Sequence, residues 1–374
     1  MRKRIFVLAT LLACSAGDAF AEANTVNRIA DKTSLLLKSH ISDHSKSIWK
    51  YFVDFHSHGL EFEIELQSVD ESSQATNADV VEMMLHDAIS ACEQGSINLL
   101  PFSRILPEKV GLEDHVWNGL QPCGVGHSVW VDFVIFDNTR YLSQSAPESI
   151  DDFFNVDLFP GKRALKKSPR ALAEWALVIA GVSRQELYQA LSREDTWDTI
   201  ESSLQSIAAE IIWVESDSEA LALLDDGVAT FALISNQNLV RRINEREESR
   251  LPYGHYSVIW DKAIAHMSML TIPKSHRSED SEKNVWSSRA IEFLNYVTQP
   301  LRNLQLSTTT GYAPVSRMLT HLIEQRYREV LAVDMQLDSL IWSNEKWWRD
   351  SGFIVERKFQ AFAERTELLK TAKN

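Results

Sequence analysis

The chain has 374 residues and a formal net charge of −14, with 44% hydrophobic and 24% charged residues. That length suits a large core divided between two domains or lobes. The acidic balance excludes broad electrostatic binding to nucleic acid, and no repeat of the kind that builds solenoids or propellers is present.

The first element is MRKR, a short positive region, followed by the apolar run IFVLATLLA. Ala19-Phe20-Ala21 then fits the small-x-small cleavage rule, so residues 1–21 read as a signal peptide. The run is too short to span a bilayer. A rival cut precedes Cys14, where LLAC passes as a lipoprotein-type box. Either way the mature chain is expected in the periplasm. Cleavage after Ala21 leaves Cys92 and Cys123. An oxidising compartment favours joining them; two buried free thiols are the other reading. A bridge closing this loop of about 31 residues would contribute roughly 3–4 kcal/mol.

LEFEIELQ (60–67) alternates apolar and acidic residues and predicts a half-buried strand. ADVVEMM (78–84) predicts an interior strand, and HDAISACEQG a short helix stopped by Gly95. SVWVDFVIFD (128–137) is a strong strand signal. FPGKRALKKSPRALAEWAL (159–177) places Lys162, Arg163, Lys166, Lys167 and Arg170 close together. There KRAL predicts a strand, Ser168 a helix cap and Pro169 the first helical position, with Gly181 ending the helix. Ser183 with Glu186, and Ser216 with Glu219, read as capping boxes. IIWVE and VATFALIS predict buried strands, and YSVIW and HMSMLTIP two further strands. RAIEFLNYVTQ and most of the C-terminal third predict helix. Strands alternating with helices imply an α/β fold with largely parallel sheets.

The order ACEQG, PCGVGHSVW, FPGKRAL, IIWVES, LLDDGVATFALISN, LTIPK, GYAPVS closely resembles the periplasmic solute-binding proteins of spermidine/putrescine-type ABC transporters. The resemblance runs from about residue 33 to 365, with FPGKRAL and IIWVES its most specific segments. It implies a two-lobed periplasmic-binding-protein fold (type II), with a ligand cleft between hinged lobes. One lobe would comprise 26–137 and 266–316, the other 138–265 and 317–374. It also implies that Cys92 and Cys123 form a disulfide, and that the partners are a small solute and an inner-membrane ABC permease. The expected protein is a monomer that binds no nucleic acid, holds no cofactor and is not an enzyme. The alternative role is a periplasmic ligand sensor that signals to a membrane receptor.

A polyamine site needs carboxylates and aromatic faces. The positions at which the family meets its ligand fall here on His40 and Ser42, on Met84 and His86, on His266 and Ser268, and on Leu233 and Ser235. The family's carboxylates after the FPGKRAL strand fall near Lys167, Ser168 and Ala171. This pattern points to an anionic or zwitterionic ligand. Lys167 beside a helix N-terminus at Ser168 would suit an acid group. Trp130, Trp260, Glu215 and Tyr312 complete the candidate ligand set, although core packing also accounts for the two tryptophans and structural capping for Glu215. His40, His44, His56 and His58 cluster without an HExxH or Cys/His pattern, so no metal site is expected. No GxSxG or P-loop is present.

Overall fold

The computed structural model describes residues 34–39, 60, 62–68, 77–108, 110–116, 119–141, 145–248, 256–274, 287–331, 333 and 340–371. The signal peptide, Cys14, His40 and Ser42 lie outside the described residues.

Among the described residues, ten strands form one mixed sheet: β1 (Ser34–Ser39), β2 (Glu63–Ser68), β3 (Val80–Met84), β4 (Leu120–Gln121), β5 (Gly124–Asp137), β6 (Arg163–Lys166), β7 (Ile211–Val214), β8 (Phe231–Ser235), β9 (Tyr256–Thr271) and β10 (Ile341–Trp342). Their order is β2-β1-β3-β9-β5-β8-β6-β7, with β10 on β9 and β4 on β5. The flanks β2-β1-β3 and β8-β6-β7 are parallel, whereas β3, β9, β5 and β8 pair antiparallel. Two long antiparallel strands therefore carry the sheet from one lobe into the other.

The elements follow from composition. β2 alternates inward Ile64 with outward Glu63 and Glu65, which suits an edge strand. β8, FALIS, is buried throughout, as an interior strand requires. Helices 288–297 and 300–310 cover the first flank through Ile291, Phe293, Leu294 and Leu306. Helices 172–179, 196–207 and 353–371 cover the second, with Trp175, Leu204 and Phe359 among the buried residues. Gly311 ends helix 300–310 at φ 80°, and a Cβ there would lie 2.7 Å from Gln237 Cα, so only glycine fits.

Cys92 and Cys123 are joined, with Cα atoms 5.7 Å apart. The bond ties the end of helix 85–93 to the residue before β5.

Three readings of the sequence are corrected. YSVIW and HMSMLTIP are one continuous strand, β9. The polar DKA segment between them is a bulge: four residues, Trp260–Ala263, stand opposite the single Phe133, and Lys262 adopts φ 55°. Ser168 is not a helix cap. The helix starts at Leu172 because Ala171 takes φ 66° and breaks the helical path; the Ser168 hydroxyl instead accepts the Arg170 N–H at 3.3 Å. At Ser183 the hydroxyl donates to the Glu186 carboxylate at 2.7 Å, and the helix opens only at Leu187.

Each cation of the basic stretch has a partner. Lys162 pairs with Glu210 at 3.0 Å, Lys166 with Asp217 at 2.7 Å, Lys167 with Glu367 at 2.8 Å, and Arg170 with Glu345. Arg163 is wholly buried; it donates to the carbonyls of Phe153 and Phe159 (3.1 and 2.7 Å), and its guanidinium lies over the Phe231 ring at 4.8 Å. Burial lowers its pKa to about 10, against the pull of Glu210 and Tyr141, so it stays charged at neutral pH.

Glu174 is also fully buried. It accepts from Trp348 Nε1 at 2.7 Å and from the Tyr188 hydroxyl at 3.2 Å, and burial raises its pKa to about 7. A raised carboxyl contributes stability that is present below its unfolded value and lost as pH rises through the folded one. Glu174→Gln is therefore expected to remove a decline in stability between about pH 4.5 and 7, visible in urea titrations across that range. An unchanged decline would show that Glu174 is already ionised in the fold.

Candidate ligand site

Residues directly opposite one another in paired strands share a sheet face. The face holding Leu37, Val80, Val125 and Leu270 is mainly apolar, with Glu82, opposite Leu270, and its partner Ser39 the first polar residues on it. Further along, the same face turns polar. Met84 and Ser128 stand opposite Ser268, Trp130 opposite His266, and Asp132 opposite Ser235. The registers of four strands thus build one polar row across β3, β9, β5 and β8.

His266 is the centre of that row. Its ring stacks on Trp130, with centroids 5.1 Å apart and planes 5° from parallel. Nε2 lies 3.2 Å from Asp132 Oδ2, and Nδ1 lies 2.7 Å from Glu345 Oε1. Glu345 opens helix 345–351 and arrives because β10 pairs with β9, Trp342 against Ala265. The Ser343 hydroxyl donates to the same Oε1 at 2.7 Å, and Arg170 donates to Oε2. On the other side, Lys166 holds Asp217, whose second oxygen accepts the Ser235 N–H at 2.9 Å and Asn238 Nδ2 at 2.7 Å. Asp217 lies in the first turn of helix 217–225, where a negative charge is favoured. The sequence Arg170, Glu345, His266, Asp132, Lys166, Asp217 alternates in sign.

Electrostatics follow the geometry. Burial opposes charge on His266, but its hydrogen bonds to Asp132 and Glu345 outweigh it and hold the pKa at about 9. Burial likewise pushes the two carboxyls up, yet His266 dominates and keeps both below their ordinary values. Lys166 is raised: burial lowers it, but Asp217 and Asp132 win. The most exposed members are the cations: Lys166 and Arg170 side chains are 39% and 40% exposed, against 26% for Asp132, 13% for Glu345 and 4% for Asp217.

Of the residues read from sequence, Trp130, Ser235, Ser268 and Met84 stand on or beside this row. Tyr312 joins it by packing edge-on to Trp130 at 5.9 Å, held by the bridge between Ala313 and Val129. His86 starts helix 85–93 just past β3, and burial lowers its pKa, with Asp87 and Glu345 acting in the opposite direction. Three others stand apart from the row. Lys167 lies on the opposite side of the strand path from Lys166 and meets Glu367 of helix 353–371, because successive residues alternate. Glu215 is exposed beyond the end of β7, its N–H captured by Glu219 at 2.9 Å. Trp260 sits in the β9 bulge and packs edge-on to Phe133 at 5.2 Å. Sequence reading missed Asp132, Glu345 and Asp217. Asp132 carried a usable signal, a lone charge in the apolar strand VWVDFV; Glu345 carried none.

Lys167→Ala is expected to leave both the melting temperature and ligand affinity unchanged, because its ion pair is exposed. A clear loss of affinity would return Lys167 to the site.

The fold is that of a two-lobed periplasmic binding protein. Residues 63–319 match the bacterial extracellular solute-binding protein family, and the chain belongs to that family, whose members bind solutes and are not enzymes. The chain is 25% identical to the gamma-aminobutyric acid-binding protein of Pseudomonas aeruginosa over 77% of its own length and 76% of the relative's. It superposes on the Atu4243–GABA receptor with a TM-score of 0.62 at 21% identity, covering 88% of this chain and 97% of the other. The spermidine/putrescine ABC transporter substrate-binding protein PotD of Streptococcus pneumoniae also gives a TM-score of 0.62, at 14% identity, covering 89% and 100%. These two structures share the fold equally and do not choose between an amino acid and a polyamine.

Proposed function

We propose that the chain is the exported solute-binding component of an ABC importer, and that its solute is a small molecule bearing a carboxylate. The carrying observation is the arrangement of charge: the cations Lys166 and Arg170 are the exposed members of the network, whereas His266 and most of the acidic members are deeply buried. An acid group would approach the exposed ends of these cations and share them with Asp217 and Glu345; an ammonium group approaching the same ends would meet repulsion. The relative's ligand, gamma-aminobutyric acid, bears such a group together with an ammonium, which in this reading lies away from Lys166 and Arg170. Trp130 and Tyr312 would wall the apolar part of the solute. In this reading the lobes are 26–137 with 266–316, and 138–265 with 317–374, and they close around the ligand before docking on the permease.

Thermal-shift and calorimetric titration with 4-aminobutyrate, other small carboxylates and putrescine would test it. A carboxylate should raise the melting temperature and putrescine should not. Lys166→Met should weaken the bound carboxylate by about 1.5–3 kcal/mol, roughly ten- to a hundredfold. Putrescine binding more tightly than every acid would refute the proposal.

A further inference from the structure

We propose that the His266 side chain is a built-in cation that fills an amine subsite of this cleft, so that a solute cannot place an ammonium group between Asp132 and Glu345. This deepens the reading above and rests on it for where the ligand's acid end sits.

The geometry sets the charge of the ring once Asp132 and Glu345 are ionised, as their lowered pKa values make them at neutral pH. Nδ1 faces a carboxylate oxygen of Glu345 at 2.7 Å and Nε2 one of Asp132 at 3.2 Å. An ionised carboxylate only accepts hydrogen bonds, so both ring nitrogens must donate, and only the imidazolium does that. A neutral tautomer would turn a lone pair toward one of the two anions. The face of the same ring lies flat on Trp130, 5.1 Å between centroids, which adds attraction between a cation and an aromatic ring. Two carboxylates and an aromatic face are the parts with which a protein grips an amine. Here all three are taken by a side chain of the chain itself, only 6% exposed.

Selectivity follows from occupancy. With His266 protonated, the alternating network holds three positive groups (Arg170, His266, Lys166) and three negative ones (Glu345, Asp132, Asp217). An incoming ammonium would find both carboxylates already neutralised and would have to displace a covalently tethered competitor, whose local concentration no free amine can match. His266 is thus a specificity-determining residue. It converts a site whose parts suit an amine into one that refuses it.

Removing the ring should restore the cryptic preference. Calorimetry at pH 6 with the full chain would use imidazole as the probe. His266→Ala is expected to bind imidazolium at least tenfold more tightly than the parent, and His266→Ala/Glu345→Gln roughly ten- to a hundredfold more weakly than the single variant. A folded His266→Ala chain that takes up imidazole no better than the parent overturns the proposal. Nitrogen NMR of the parent supplies a measurement that needs no variant: at pH 7.5 both His266 ring nitrogens should carry protons, and a neutral ring overturns the proposal. Should His266→Ala fail to fold, that spectrum decides. A parent that binds no carboxylate, beside a variant that captures imidazolium, would refute the proposed solute class and leave this inference standing.

Discussion

Glu345→Ala is expected to destabilise the fold by about 3–5 kcal/mol, the usual cost of breaking a buried ion pair from one side. The substitution strips the imidazolium of His266 of one partner, releases Arg170 and leaves the Ser343 hydroxyl without its acceptor. The same network sets a pH signature. His266 is raised from 6.5 to about 9, so its contribution is complete below about pH 6.5 and is lost as pH rises through about 9. A shift of that size corresponds to roughly 3 kcal/mol. Asp132 and Glu345, held below their ordinary values, act at the other end: their contribution is lost as pH falls through their folded pKa values. Urea unfolding of the parent should therefore weaken on the alkaline side, and Glu345→Ala should flatten that limb. A loss below 1 kcal/mol with the limb intact would mean that Glu345 is not the partner of His266.

Cys92→Ser is expected to cost about 3–4 kcal/mol, because the bond closes a loop with a sequence separation of 31 and removes chain entropy from the unfolded state. The native contacts around it barely change, so the loss should appear in equilibrium unfolding and should vanish when the parent is measured under reducing conditions. Equal stability of oxidised and reduced parent would contradict it.

Legibility of the sequence followed the range of the interaction. Strand periodicity and glycine stops are written in neighbouring residues, so β2, β3, β5, β8 and the end of helix 85–93 could be placed without coordinates. Where a distant residue decides, local rules misled. Ser168-Pro169 has the chemistry of a helix start, but Arg170 meets Glu345 and the face of Trp348, 5.6 Å away, and Ala171 takes a positive φ. Lys166 and Lys167 look equivalent in a basic run; strand alternation sends them to different partners, Asp217 and Glu367. Glu345 lies 79 residues from His266 and reaches it only through the pairing of a two-residue strand, for which no local pattern exists. The candidate site was thus legible as positions on strands and illegible as a circuit of charges.

The bulge in β9 has a mechanical consequence. Paired strands resist being slid along one another, since every ladder bond would break at once, but they bend wherever the ladder is interrupted. Between β5 and β9 the register jumps between Gly126 and Ser128 and again between Asp132 and Val134. The stretch from Ser128 to Asp132 is therefore a short stiff plate held between two notches, and Trp130 and the strand partner His266 ride on it. Flexure concentrated at the notches would swing the flanks as rigid arms while the plate keeps its shape. The second notch is itself braced, by Lys262 reaching Asp151 and Asp261 at 3.0 and 2.6 Å. The ion cluster at that notch lies outside the polar row, so changes to it would alter the joint without touching the residues of the row.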